Sequence, residues 1–162
     1  MSWSGISTIT FPLYGRCKWG VVQVESESVT LRAPLAPNSN HRGTAFGGSA
    51  SAVAILAAWS LLLTRLSGEG IDSRLVIRRN TMSYERPVEG AFTAQAMVAE
   101  VGEWERFVRT LKRRGKARVT VTSVLQCAGE AVGRFAGEFV AVAETGAEQG
   151  APGEEGEGPP QG

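Results

Sequence analysis

The sequence holds a single histidine, His41, a single aspartate, Asp72, and only two cysteines, Cys17 and Cys127, in 162 residues. Neither cysteine belongs to a Cys-x-x-Cys pair, so the donors for a His- or Cys-built metal site are missing, and no metal is expected. Unpaired thiols, with an N-terminus that has neither a basic start nor an apolar core, predict a reducing, cytoplasmic setting. The one aspartate follows a long apolar run, and Ser49 sits in GGSAS rather than G-x-S-x-G, which disfavours a serine triad. A cysteine–histidine pair is disfavoured because Cys17 and Cys127 lie in or beside expected strands. The pattern G-x-x-x-x-G-K-[ST] is absent, so no phosphate loop is present. Charge is missing too. No charged residue occurs between Arg42 and Arg65, and a helix apolar on every side is expected to be buried rather than laid on a surface.

What the chain does contain is organised around Pro34 to Leu66. This stretch is a turn-rich loop, PLAPNSNHRGTAFGG, followed by the apolar run SASAVAILAAWSLLLTRL. The run approaches membrane-spanning length, but Gly, Ser and Ala fill its first half, which favours a core helix and no membrane. Gly68 and Gly70 end the helical pattern. Around it the sequence reads as strands. Lys18 to Glu25 and Ser28 to Ala33 form a hairpin, the second alternating Val29, Leu31 and Ala33 with polar neighbours. Leu75 to Glu85 and Ala91 to Ala99 are further strands, the former closed by Pro87. Gly102 to Gly115 predicts a short amphipathic helix with Trp104, Phe107, Val108 and Leu111 inward. Lys116 to Cys127 and Val132 to Val142 are two long strands joined at Ala128-Gly129. Met1 to Gly15 is ambiguous, its Ile6, Ile9 and Leu13 at helical spacing but interrupted by Ser, Thr and Pro12.

One domain of ordinary size, residues 1–144, is therefore expected, with a Gly/Glu/Pro-rich tail at 145–162 too poor in apolar residues to order itself. Strands and helices do not alternate, which argues against a doubly wound parallel sheet. The fold class is α+β: a curved antiparallel sheet wrapped around one long central helix, the hot-dog arrangement. The net charge of +1 hides an asymmetry. Five of the 16 acids lie from Glu144 onward with no base among them, leaving 17 bases against 11 acids before them. A basic body suits an anionic ligand without specifying one.

Three features bear on chemistry. Gly47, Gly48 and Ser49 open the long helix, where the first amides have no intrahelical partner and the dipole is positive. Such donors favour a carbonyl oxygen gaining negative charge, and glycine lets a substrate approach without a Cβ in the way. The same glycines could serve only close packing against the sheet. His41, the one side chain of its kind, is the natural candidate for a general base, or a solvated loop residue. Asn38 and Asn40 either orient water or build Asx turns after Pro37. The third feature is basic: Arg106, Arg109, Lys112, Arg113, Arg114, Lys116 and Arg118. It offers a face for water or for the phosphates of coenzyme A; nucleic acid is the least favoured occupant, and no nucleic-acid partner is expected.

The run from Leu31 to Trp59 resembles the thioesterase-like family defined by the C-terminal domain of YiiD, in the hot-dog superfamily. The residues that carry the resemblance are Pro37, Asn38, Asn40, His41, Thr44, Phe46, Gly47, Gly48, Ser49, Trp59 and Ser60. Ile77 to Val88 and Trp104 to Arg118 are similar as well. The resemblance implies a homodimer or dimer of dimers with the site at the subunit interface, acting on thioesters of coenzyme A or acyl carrier protein. Coenzyme A would enter as part of the substrate, with no separate cofactor. In that reading Gly47 and Gly48 hold the carbonyl oxygen, His41 or Asn40 handles water, and Ser49 adds polar support. Thr44, Phe46, Trp59, Ser60, Arg113 and Arg114 would line the substrate. Many hot-dog thioesterases carry an acid on the central helix, and this helix has none between Gly47 and Leu66. That absence keeps two other functions open, a non-hydrolytic acyl-CoA binder and a hot-dog dehydratase or hydratase.

Overall fold

The computed structural model describes residues 12–144. The expectations for Ile6, Ile9 and the 145–162 tail fall outside the described residues.

A short helix, α1 (Pro12–Cys17), precedes strands β1 (Gly20–Val24) and β2 (Ser28–Ala33). A 3₁₀ turn at Ala36–Asn38 leads to the long helix α2 (Gly47–Gly68). Strands β3 (Ser73–Tyr84) and β4 (Phe92–Val98), helix α3 (Glu103–Arg114), and strands β5 (Lys116–Cys127) and β6 (Glu130–Ala143) follow. The six strands form one antiparallel sheet in the order β1-β2-β4-β5-β6-β3. This is the hot-dog architecture, with α2 held in the curve of the sheet.

Small residues decide how closely helix and sheet approach. Ala50, Ala54, Ala57 and Ala58 are buried on α2, and the hydroxyl of buried Ser123 on β5 donates to the Ala54 carbonyl at 3.1 Å. Val29, Leu31, Ala94, Ala96, Val119, Val121, Phe135 and Phe139 supply the facing side of the sheet. The expectation that α2 is enclosed on all sides needs correction. Ser51, Ile55, Trp59 and Leu63, spaced four apart, form a half-buried stripe. By length and composition α2 also passes as a membrane span, as core helices do.

The helix ends obey local rules. Gly70, at φ +67°, takes the left-handed position after the C-cap of α2. Its amide donates to the Ser67 carbonyl and that of Ile71 to Leu66, a Schellman closure that turns the chain into β3. Helix α3 carries Glu103 and Glu105 in its first turn and Lys112, Arg113 and Arg114 in its last, matching its dipole. The β5–β6 hairpin turns at Ala128 and Gly129, both at positive φ, the geometry of a two-residue turn. That turn starts β6 at Glu130, two residues before the apolar alternation begins at Val132.

Gly137 shows why the alternation through β6 includes glycine. A Cβ built there would lie 2.6 Å from the Phe135 ring and 3.0 Å from the Phe139 ring. Both rings are buried and cannot swing into solvent. Gly137→Ala is therefore expected to destabilise the fold by about 1–3 kcal/mol, the usual cost of overpacking, measured as a lower urea midpoint at unchanged slope.

Candidate functional site

The start of α2 is built by the loop before it. Asn38 is buried, and its side chain holds three groups: its Oδ1 accepts from the Trp19 indole at 2.9 Å, and its Nδ2 donates to the Pro34 and Cys17 carbonyls at 2.8 and 3.1 Å. Its own carbonyl accepts from the Phe46 amide at 2.7 Å. Of the two roles open to it in the sequence, Asn38 takes the architectural one. Asn40 closes the next turn: its Oδ1 accepts from the amides of Arg42 and Thr44, and its Nδ2 donates to the Thr44 hydroxyl at 2.9 Å. The Ala45 amide donates to the Val88 carbonyl, tying the loop to the β3–β4 connection. His41 stands exposed at the tip of this braced turn, its Nε2 3.4 Å from Nε of Arg42.

The helix begins without a cap. Phe46 occupies the N-cap position in an extended conformation, and no side chain caps the first turn. A Ser, Thr or Asp there would spend its oxygen on the amides that follow. Phenylalanine has no oxygen to spend, so the amide hydrogens of Gly47, Gly48 and Ser49 remain available to an incoming acceptor.

Two aromatic rings flank the glycines. Phe46, 58% exposed, lies across Gly48, where a Cβ would come within 2.3 Å of its ring. Tyr84, 57% exposed, lies against Gly47, and its hydroxyl donates to the Gly47 carbonyl at 2.9 Å. Tyr84 is a residue the sequence reading missed. Its alternation with Asn80 and Met82 places it on the inner face of β3, opposite Gly133. Which end of α2 that face meets depends on the antiparallel run of α2 and β3, which is tertiary information.

The candidates thus divide into three groups. Phe46, Gly47, Gly48 and Ser49 stand at the start of α2, and Asn40 and Thr44 are joined in the turn just before it, with His41 exposed at the tip of that turn. Trp59 is half-buried and Ser60 is buried, each roughly 20 Å further along the helix at 1.5 Å per residue. Arg113 and Arg114 sit at the opposite end. Helix α3 packs by the last turns of α2, where the Arg65 guanidinium lies 4.2 Å from the Trp104 ring and Lys112 pairs with Glu69. Within one chain, the structure does not bring these two arginines to the glycines. Burial pulls the Arg65 pKa below the usual guanidinium value, opposed by Glu27, Glu105 and Glu69. Among the described residues, no group of three His, Cys, Asp or Glu side chains gathers to hold a metal.

The model of the family described as "Putative thioesterase (yiiD_Cterm)" matches residues 8–143. The chain belongs to this family. Solved structures agree on the fold. A protein of unknown function from Chlorobaculum tepidum superposes with a TM-score of 0.79 at 24% identity, covering 86% of this chain and 90% of that one. A protein from Shewanella oneidensis, described as a putative thioesterase, gives 0.72 at 25% identity, with coverage of 85% and 91%. A thioesterase from Haemophilus influenzae gives 0.67 at 12% identity, with coverage of 88% and 90%. No curated protein matches the chain.

Proposed function

We propose that the protein hydrolyses acyl thioesters of coenzyme A or acyl carrier protein, binding the thioester carbonyl at the start of α2. The observation that carries this reading is the uncapped first turn, with Phe46 at the N-cap and glycines at the next two positions. A tetrahedral intermediate places a full negative charge on the former carbonyl oxygen, and preorganised amides at a helix start stabilise that charge more than the neutral ground state. Tyr84 supports the arrangement by holding the Gly47 carbonyl, and with it the peptide plane that carries the Gly48 amide.

His41 is the proposed base. It would take a proton from water as the oxygen attacks the carbonyl carbon. Collapse of the intermediate then breaks the carbon–sulfur bond, and the departing thiolate takes that proton back from His41, leaving the carboxylic acid and the free thiol. Asn40, whose polar atoms serve the turn, holds His41 in place rather than water. Family membership and the thioesterase neighbours support the reaction class.

A two-fold dimer completes the site in this reading. The outer edge of β3 pairs with no other described strand, and unpaired edges are templates for a second chain. Half-buried Ile55 and Leu63 on α2, and Leu75, Ile77 and Met82 on the inner face of β3, are apolar surface for that copy to cover. A cytoplasmic location remains part of the proposal.

One observation favours a second reading. Helix α2 carries no carboxylate to share the proton work with His41, which suits a protein that holds acyl-CoA without cleaving it. Thiol release and calorimetric binding across acyl-CoAs of increasing chain length separate the two. Release with turnover is the expected result. Binding without release would establish the second reading, and neither binding nor release would remove both.

A further inference from the structure

The exposed side of α3 is a basic ridge. Arg106, Arg109, Lys112, Arg113 and Arg114 project from the helix, and Lys116 and Arg118 continue it on β5, all of them exposed. Of these seven, only Lys112 has a carboxylate within salt-bridge distance among the described residues, Glu69 at 3.5 Å. Elsewhere Arg16, Arg32 and Arg42 are also exposed without a carboxylate partner among the described residues, whereas other surface arginines are paired. Arg78 and Arg79 share Glu138, Arg134 meets Glu85, and Arg86 meets Glu130. The Arg78 hydrogen bond is the main cause that holds Glu138 below the usual carboxylate range.

Leaving the ridge unpaired has a cost. Arg109 faces Arg106, Lys112 and Arg113 at spacings of three and four, where like charges repel. The helix dipole accounts for bases in the last turn only, so it does not explain Arg106, Arg109, Lys116 or Arg118. Glu103 and Glu105 stand three and four residues before Arg106 and Arg109 and offset part of this repulsion, but no acid follows until Glu130.

The shape of the ridge narrows the class of partner. Helix α3 stands between two clefts. One, about 720 Å³, lies against the end of α2, where Arg65, Arg109, Lys112 and Arg113 outnumber Glu69 and Glu105. The other, about 370 Å³, sets Arg106 and Arg118 beside Glu100 and Glu103, so neither cleft is a purely basic socket for a compact anion. The surplus of positive charge lies along the ridge itself, and an extended acidic surface can meet it over a helix about 18 Å long.

The ridge also stands away from the chemistry of its own chain, roughly 30 Å from Gly47 along α2. Gly47 lies by the Tyr84 end of β3 and Glu69 by its Ser73 end. In the two-fold dimer proposed above, antiparallel pairing of two β3 edges would turn the Ser73 end of one chain, where α3 packs, toward the Tyr84 end and helix start of its partner.

We propose that the α3 ridge docks an acidic helical carrier protein, which delivers the acyl group on its prosthetic arm to the site at the partner's α2. The inference rests on the thioesterase reading above and chooses the carrier-borne thioester over the free coenzyme A thioester as substrate.

The test uses the full chain and a double variant, Arg106→Glu with Arg109→Glu, one base from each flank. The same acyl group is offered on acyl carrier protein and on coenzyme A, and binding of acyl-free carrier protein is measured separately by calorimetry. Circular dichroism and Tm confirm folding. The expected result is a carrier-borne KM that rises at least tenfold more than the coenzyme A KM, with kcat little changed. Wild-type carrier binding should also weaken as salt is raised. Equal shifts in both KM values would overturn the proposal in favour of a coenzyme A phosphate site. Unshifted KM values, or competition by nucleic acid but not by carrier protein, would also overturn it. Carrier binding that the variant loses, in a wild type that hydrolyses neither substrate, would keep the docking and sink the thioesterase reading.

Discussion

Replacement of His41 by alanine is expected to lower kcat for thioester hydrolysis by about 100- to 10,000-fold, the usual contribution of a positioned general base. KM should move little, because His41 stands at the tip of its turn and the acyl and pantetheine groups have other walls to meet. Stability should be unchanged within about 0.5 kcal/mol, since the side chain is exposed and braces nothing else. His41→Gln separates the two ways the residue could act. It retains a polar group at the same reach without a titratable proton, so a base leaves it as inactive as alanine. Recovery of most of the activity in His41→Gln would make the residue a holder of water rather than a base. Turnover undiminished in both variants would remove His41 from the mechanism.

Asn38→Ala should do the opposite, costing stability first. The side chain satisfies the Trp19 indole in a buried position and the carbonyls of Pro34 and Cys17 in partly buried ones. Each unsatisfied buried group costs about 1–3 kcal/mol, so a loss of roughly 3 kcal/mol or more is expected. In a protein of this size that corresponds to a fall in Tm on the order of 10 °C. Activity per folded molecule should fall less steeply than in His41→Ala, through loosening of the link from the Asn38 carbonyl to the Phe46 amide. A Tm within about 2 °C of wild type would show that water replaces the amide and that the loop is not held from beneath.

The contrast between Asn38 and Asn40 shows where sequence reasoning stops. Both stand near His41, and both residue types favour turns or bind water. Only the packing of Trp19 over Asn38 assigns it to the interior. Only the return of Thr44 spends the polar atoms of Asn40 on the turn. These are contacts across 19 and 4 residues, and the longer one has no local signature. Tyr84 was missed for the same reason. Its alternation assigns its face, but the end of the helix it touches follows from the antiparallel run of α2 and β3.

The basic residues make the point at longer range. Their clustering and the amphipathic pattern of α3 are plain in the linear chain, as are the inward positions of Trp104, Phe107, Val108 and Leu111. Their distance from the glycines is not. The chain runs from the end of α2 through two strands before it forms α3, and sheet pairing returns it to the far end of the central helix rather than its start.

The feature read first was the long apolar helix with its glycine start, and its existence, limits and architecture follow from sequence alone. Charge-free length demands burial, Gly70 closes the last turn, and strands of alternating polarity have one apolar face to place against it. These are local and periodic properties, written in neighbouring residues. Tertiary structure decided that Phe46 leaves the first amides uncapped beside Tyr84, that one stripe of α2 is only half-buried, and that the arginines stand at the opposite end. Each of these depends on which strand lies beside which, a matter of long-range pairing that no short window of residues specifies.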